Sequence, residues 1–150
     1  MKIAIGCDHG GFPLKEAVIE AIKAAGHEVL DFGTDGLASV DFPDYARAVG
    51  EAVQQGRAAR GILMCGSGVG MSMAANKMRG IYASVCHDTY SAHQGVEHDG
   101  MNVLCMGGRI IGSELAKEIV TAFLHAQPGG SERHARRREK IKRLEQRCLG

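Results

Sequence analysis

No two of the five cysteines stand in C-x-x-C spacing, and their number is odd. Cys7, Cys65, Cys86 and Cys105 each close an apolar run, a pattern that argues for reduced thiols and against disulfides or a zinc site. No apolar run approaches the roughly 18 residues of a membrane span. The opening Met-Lys-Ile-Ala-Ile-Gly-Cys-Asp-His turns charged and glycine-rich too early for the apolar core of a signal peptide, so the sequence predicts a cytoplasmic protein with no membrane contact. No internal repeat, low-complexity tract or long linker divides the 150 residues, 45% of them hydrophobic, and one domain is expected.

Excess charge is also missing, with a formal net of +1, but the charge is unevenly spread. Residues 132–147 hold eight Lys/Arg against three Glu, a local +5 that leaves −4 for the rest. That segment has no aromatic side chain to stack on bases and the body is acidic, which ranks nucleic-acid binding last. A solvated helix face with a few arginines turned toward an anionic ligand is the better reading.

Short apolar runs alternate with helical patterns along the chain, the mark of repeated β-α units on a parallel sheet. Strands are expected at 2–7, 28–32, 61–65, 81–86 and 102–106. Helices are expected at 12–25, 45–55, 71–78, 89–97 and 113–126, with Pro13 in a first turn and Ser113 as an N-cap. Residues 33–44 form a loop, and Gln127-Pro-Gly-Gly130 separates a basic final helix at about 131–147. The fold class is α/β: a three-layer α/β/α sandwich around a Rossmann-like five-stranded parallel sheet, plus the C-terminal helix. Ligands of such sheets bind beyond the carboxyl ends of the strands, which singles out Asp8 and His9, Cys65 to Gly70, and Arg109.

The densest chemical signal is Cys65-Gly66-Ser67-Gly68-Val69-Gly70, a thiol at a strand end followed by glycines and a helix start. Glycines let backbone N–H groups turn inward as an oxyanion nest, and the same positive field suits a thiolate. The bland alternative, a buried strand-end cysteine, is accepted for Cys7, Cys86 and Cys105. Spacing excludes other phosphate loops: there is no Walker lysine, Met71 stands where G-x-G-x-x-G needs glycine, and no arginine follows Cys65 as a thiol phosphatase requires. Asp8 and His9 can manage hydroxyl protons or merely cap a turn. His98-Asp99 forms a second acid/base pair in a stretch with His87, Asp88 and His93, but no ligand spacing such as H-E-x-x-H appears and no metal is assigned. Arg109, and Arg133, His134 and Arg137 on one face of the last helix, suit a phosphate dianion. Arg136, Arg138, Lys140, Lys142 and Arg143 read as solvated charges.

Taken in order, G-C-D-H-x-G, D-F-P-D-Y-A at 41–46, G-I-L-M-C-G-S-G-V-G-M-S, A-A-N-K, N-V-L-C-M-G-G-R and R-H-x-x-R resemble the ribose-5-phosphate isomerase type B family, which shares its scaffold with galactose-6-phosphate isomerase subunits. The resemblance spans essentially the whole chain. It implies an aldose-ketose isomerase of the pentose phosphate pathway that needs no cofactor and acts through a cis-enediolate. Cys65 would be the carbon-acid base, His98 the ring-opening proton donor, and Ser67 with the amides of Gly66, Gly68, Val69 and Gly70 the oxyanion site. Asp8 and His9 would contact the sugar, and Arg109, Arg133 and Arg137, with His134, the phosphate. It further implies a homodimer with a shared active site, to which the last helix contributes, with pairing into tetramers left open. One position departs from the pattern: Asp99 stands where the family commonly has asparagine. An ionised aspartate only accepts hydrogen bonds, which keeps a tetrose 4-phosphate or hexose 6-phosphate beside ribose 5-phosphate as substrates. A non-catalytic sugar-phosphate-binding subunit is the competing class, and the presence of Cys65, His98 and the three arginines in one chain speaks against it.

Overall fold

A computed structural model describes residues 1–149. The elements are β1 (Lys2–Cys7), a 3-10 turn at Phe12–Leu14, α1 (Lys15–Ala24), β2 (Glu28–Asp31), α2 (Phe42–Gln54), β3 (Arg60–Cys65), α3 (Val69–Ala75), β4 (Ala83–Val85), α4 (Thr89–Asp99), β5 (Val103–Gly107), α5 (Ser113–His125) and α6 (Glu132–Leu149). The strands form one parallel sheet in the order β2-β1-β3-β5-β4. The expected α/β sandwich with a final helix is what forms.

The sheet's two faces follow from the period-2 alternation of its strands. Ile3, Ile5, Cys7, Ile62, Met64, Leu104 and Met106 pack with α1, α4 and α5. Ala4, Leu63, Cys65, Val103 and Cys105 pack with α2 and α3. Central strands buried on both faces read as continuous apolar runs, and every residue of β3 and β5 is buried. Cys65 therefore ends β3 on the α2/α3 side.

Several boundaries differ from the sequence reading. α2 begins at Phe42, inside the expected loop, because extended Asp41 serves as N-cap and Pro43 fits the first turn. The helix after Cys65 starts at Val69 and ends at Ala75, two residues earlier at its start and three at its end than expected. Ser113 is not the N-cap: Gly112 takes that position with no side-chain bond, and Ser113 is the first helical residue. The fourth strand keeps only Ala83–Val85, since the Tyr82 N–H is taken by the side chain of Asn102 at 2.8 Å. α4 runs on to Asp99, with Asp88 accepting from the Ser91 N–H at its start and Gly100 at φ 74° closing it.

Candidate active site

Three adjacent central strands deliver the site. β1, β3 and β5 end side by side, pairing Cys7 with Met64 and Cys65 with Gly107. The segments beyond them, 8–11, 66–70 and 108–110, are thus forced together at the carboxyl edge, where the chain reverses direction across the sheet. Backbone bonds lock them: the Gly108 N–H donates to Cys65 O at 2.8 Å and the Arg109 N–H to Gly66 O at 3.0 Å. Glycines permit the closeness. A Cβ on Gly107 would stand 2.7 Å from Ser67 Cα, and Gly68, at φ +81°, lies against the Met106 backbone.

A cavity of about 380 Å³ opens between these loops, lined by Asp8, Phe42, Cys65, Gly66, Ser67, Gly70, Arg109 and Ile110. Hollows of equal or larger volume elsewhere hold neither Cys65 nor Asp8. Cys65 Sγ accepts the Gly68 N–H at 3.0 Å. Burial pushes the Cys7 thiol up to about 11 and raises Cys86 and Cys105 as well, which fits inert packing groups. Ser67 Oγ accepts from the Val69 N–H at 3.3 Å, while the amides of Gly66 and Ser67 have no hydrogen-bond partner among the described residues.

Asp8 is 7% exposed, and its Oδ1 accepts from the Gly10 and Gly11 amides at 2.9 and 3.0 Å. Oδ2 has no partner among the described residues. His9 Nδ1 accepts the Val40 N–H at 3.2 Å, so the neutral ring carries its proton on Nε2. The Arg109 guanidinium lies over Gly66, whose added Cβ would meet Nη1 at 3.2 Å.

The remaining candidates lie elsewhere on the chain. α4 runs back across the sheet, and Asn102, three residues after Asp99, meets Gly61 at the amino end of β3. His98 is thus at the sheet edge opposite Cys65, one strand length away, or about 16 Å at about 3.3 Å per residue. There it forms a second cluster. Its ring stacks on His134 with centroids 3.9 Å apart and planes 18° from parallel. Gln94 Nε2 lies 2.9 Å from His98 Nδ1 and 3.4 Å from Asp99 Oδ2. Arg133 and Arg137 stand exposed on α6 beside that stack. His134 is held below its ordinary range by desolvation, with His98, Arg133, Arg137 and Arg138 adding positive charge. One chain therefore carries two separate clusters, and it does not bring Cys65 and His98 together.

The histidine-rich stretch separates into individual tasks. His87 Nε2 accepts the Gly107 N–H at 2.9 Å, supporting the strand end under the Cys65 loop, and His93 pairs with Glu97 at 3.1 Å. Sequence reasoning did not single out Phe42 and Ile110 in the cavity wall, Gln94 behind His98, or the support from His87. Of these only Gln94 left a local trace, its four-residue spacing from His98 on one helix face.

Residues 3–141 match the family model described as ribose/galactose isomerase. A relative in Escherichia coli (strain K12) named ribose-5-phosphate isomerase B is 49% identical over 146 residues, covering 97% of each chain. One from Pectobacterium atrosepticum named D-erythrulose-4-phosphate isomerase is 41% identical over 134 residues, 87% of this chain and 88% of that one. The solved structure of Clostridium thermocellum ribose-5-phosphate isomerase B superposes with a TM-score of 0.94 at 48% identity, covering 98% of this chain and 99% of that one. With the family model spanning nearly the whole chain and the thiol, glycine loop and carboxylate gathered in one cavity, the chain belongs to the ribose/galactose isomerase family.

Proposed function

We propose that the protein interconverts ribose 5-phosphate and ribulose 5-phosphate, with Cys65 as the base that moves a proton between carbon two and carbon one. The observation that carries the reading is Cys65 Sγ, held by the Gly68 N–H at 3.0 Å in a cavity shared with Asp8, Ser67 and Arg109. A proton alpha to a carbonyl becomes removable when the developing oxyanion is met by fixed donors, and the free amides of Gly66 and Ser67 with the Ser67 hydroxyl are such donors. Asp8, with one oxygen tied to two amides and the other free, is placed to carry the hydroxyl proton between O2 and O1. The Nε2–H of His9 donates to a sugar oxygen. Arg109 holds one side of the phosphate.

Ring opening of the aldose falls to His98, and its place at the far sheet edge calls for a second copy of the chain. In a twofold pair, His98, Arg133, His134 and Arg137 of one subunit close the Cys65 cavity of the other, and two equivalent sites result. The reaction needs no electron sink beyond the loop, so it runs without a cofactor.

A specific observation keeps a second substrate in view. Asp99, exposed beside His98, is a carboxylate where the family pattern has an amide, and a 41% identical relative is named for a tetrose phosphate. The test is a coupled assay with ribose 5-phosphate, erythrose 4-phosphate and allose 6-phosphate in parallel, with Cys65→Ala as control. Fastest turnover of ribose 5-phosphate and a dead Cys65→Ala are expected. Preference for another sugar transfers the assignment to that sugar and makes Asp99 the specificity residue, and an active Cys65→Ala refutes the mechanism.

A further inference from the structure

Arg138 reads in the sequence as one more solvated charge, and its contacts are otherwise. Nη1 donates to His98 O at 3.1 Å and reaches Glu97 O at 3.5 Å, while Nη2 donates to Gly129 O at 3.1 Å. Its alkyl stem crosses Gly100, where an added Cβ would stand 3.0 Å from Arg138 Cδ. The Gly129 N–H in turn donates to Glu97 O at 2.8 Å. One guanidinium thus gathers the last carbonyls of α4 and the linker before α6, a cation placed at the negative end of a helix.

The neighbours of Arg138 on α6 give this clamp its meaning. His134 lies four residues earlier on the same helix face, and its ring is the one stacked on His98. Arg138 fixes the backbone of residue 98, His134 braces its ring, and Gln94 at 2.9 Å occupies Nδ1, which leaves Nε2 as the proton-bearing nitrogen of the neutral imidazole. A side chain held on three sides has one presentation, as a proton donor to a ring oxygen requires.

We propose that Arg138 is a positioning residue of the isomerase: by tying α6 to the end of α4 it sets the placement of His98 for opening the sugar ring, without itself touching substrate. The proposal rests on the isomerase reading given above. It separates two half-reactions. Ribose 5-phosphate enters as a furanose and needs the ring step, whereas ribulose 5-phosphate, with its terminal hydroxyl esterified, has no furanose form. Exchange of its carbon-one proton with solvent needs the Cys65 loop and the phosphate contacts but not the ring-opening acid.

The experiment compares Arg138→Gln, Arg138→Lys and His98→Asn with the full-length parent. One readout is turnover of saturating ribose 5-phosphate, and the other is deuterium uptake at carbon one of saturating ribulose 5-phosphate in heavy water, followed by proton NMR. Arg138→Gln is expected to lower ribose 5-phosphate turnover by about tenfold or more, following His98→Asn in direction, while deuterium uptake changes by less than about twofold. Arg138→Lys, a point charge unable to span the carbonyls, recovers part of the loss. Unchanged ribose 5-phosphate turnover in Arg138→Gln, or deuterium uptake that falls in step with turnover in both a folded Arg138→Gln and Arg138→Lys, overturns the proposal. If Arg138→Gln does not fold, Arg138→Lys alone decides by the same comparison. Failure of the underlying reading looks different: Cys65→Ala would still exchange carbon-one deuterium, or His98→Asn would leave ribose 5-phosphate turnover intact.

Discussion

Placing one methyl group on Gly107 should disable the enzyme from behind its active site. A Cβ there would stand 2.7 Å from Ser67 Cα, 2.8 Å from Gly66 O and 2.8 Å from Ile110 Cγ1. Ordinary contact begins at 3.4 Å, so the loop is 0.7 Å too close and must retreat by that much. β5 has no room to yield instead, because it is buried throughout and paired on both sides. The atoms that must move are backbone atoms next to Cys65 and the donors facing the cavity. A misplacement of about 1 Å in reacting groups costs on the order of 10²-fold, so Gly107→Ala should lower kcat by about 30- to 100-fold. Forcing a methyl into a packed site should cost about 1–3 kcal/mol of stability. Gly36→Ala is the control, since a Cβ at that position meets nothing within 4 Å. The assay is initial-rate kinetics at saturating sugar phosphate alongside thermal unfolding of both variants. A Gly107→Ala enzyme with parental kcat and melting temperature would refute the claim that this contact sets the loop.

Arg60 is 7% exposed at the amino end of β3, and its guanidinium donates to Phe123 O at 2.6 Å and Ala126 O at 2.7 Å, closing α5. Arg60→Met should therefore cost about 2–3 kcal/mol in a denaturant titration and leave kcat per folded molecule unchanged. Burial holds His87 below its ordinary 6.5, while Asp88 pulls the other way. Its contribution is complete above that value and declines as pH falls from 6.5 toward the depressed folded value, because the unfolded chain then binds a proton that the folded one refuses. Unfolding midpoints measured across that window should fall less steeply with acid for His87→Gln, whose amide oxygen reaches the Nε2 position and still accepts the Gly107 N–H, than for the parent.

The parallel sheet was legible because central strands buried on both faces leave unbroken apolar runs, as in Gly61-Ile-Leu-Met-Cys65. Helix starts were less so. α2 begins at Phe42 because Pro43 suits a first turn, yet the Gly- and Ser-rich residues before it read as loop throughout. That Asp8, Cys65 and Arg109 meet at one sheet edge could be read because strand ends and glycines announce themselves locally. What stayed hidden was tertiary. No spacing reveals that α4 returns His98 to the opposite edge, that His87 accepts a hydrogen bond from the Gly107 N–H, or that Arg138, inside a run of arginines, grips backbone carbonyls. A charge run looks uniform in sequence because the distinction lies in which helix end each side chain meets.

The distance between Cys65 and His98 has a consequence for what a single molecule can be. If each pocket takes its base from one chain and its acid from another, as proposed above, a solitary subunit is folded but idle, and catalysis becomes subject to mass action. Dilution silences such an enzyme without unfolding it. Inheritance is affected in the same way: a fault in the thiol of one chain and a fault in the imidazole of another fall on the same pocket in one half of a mixed pair and leave the opposite pocket sound. Two barren alleles can then complement each other within one particle, and selection on α6 acts on the chemistry of its neighbour.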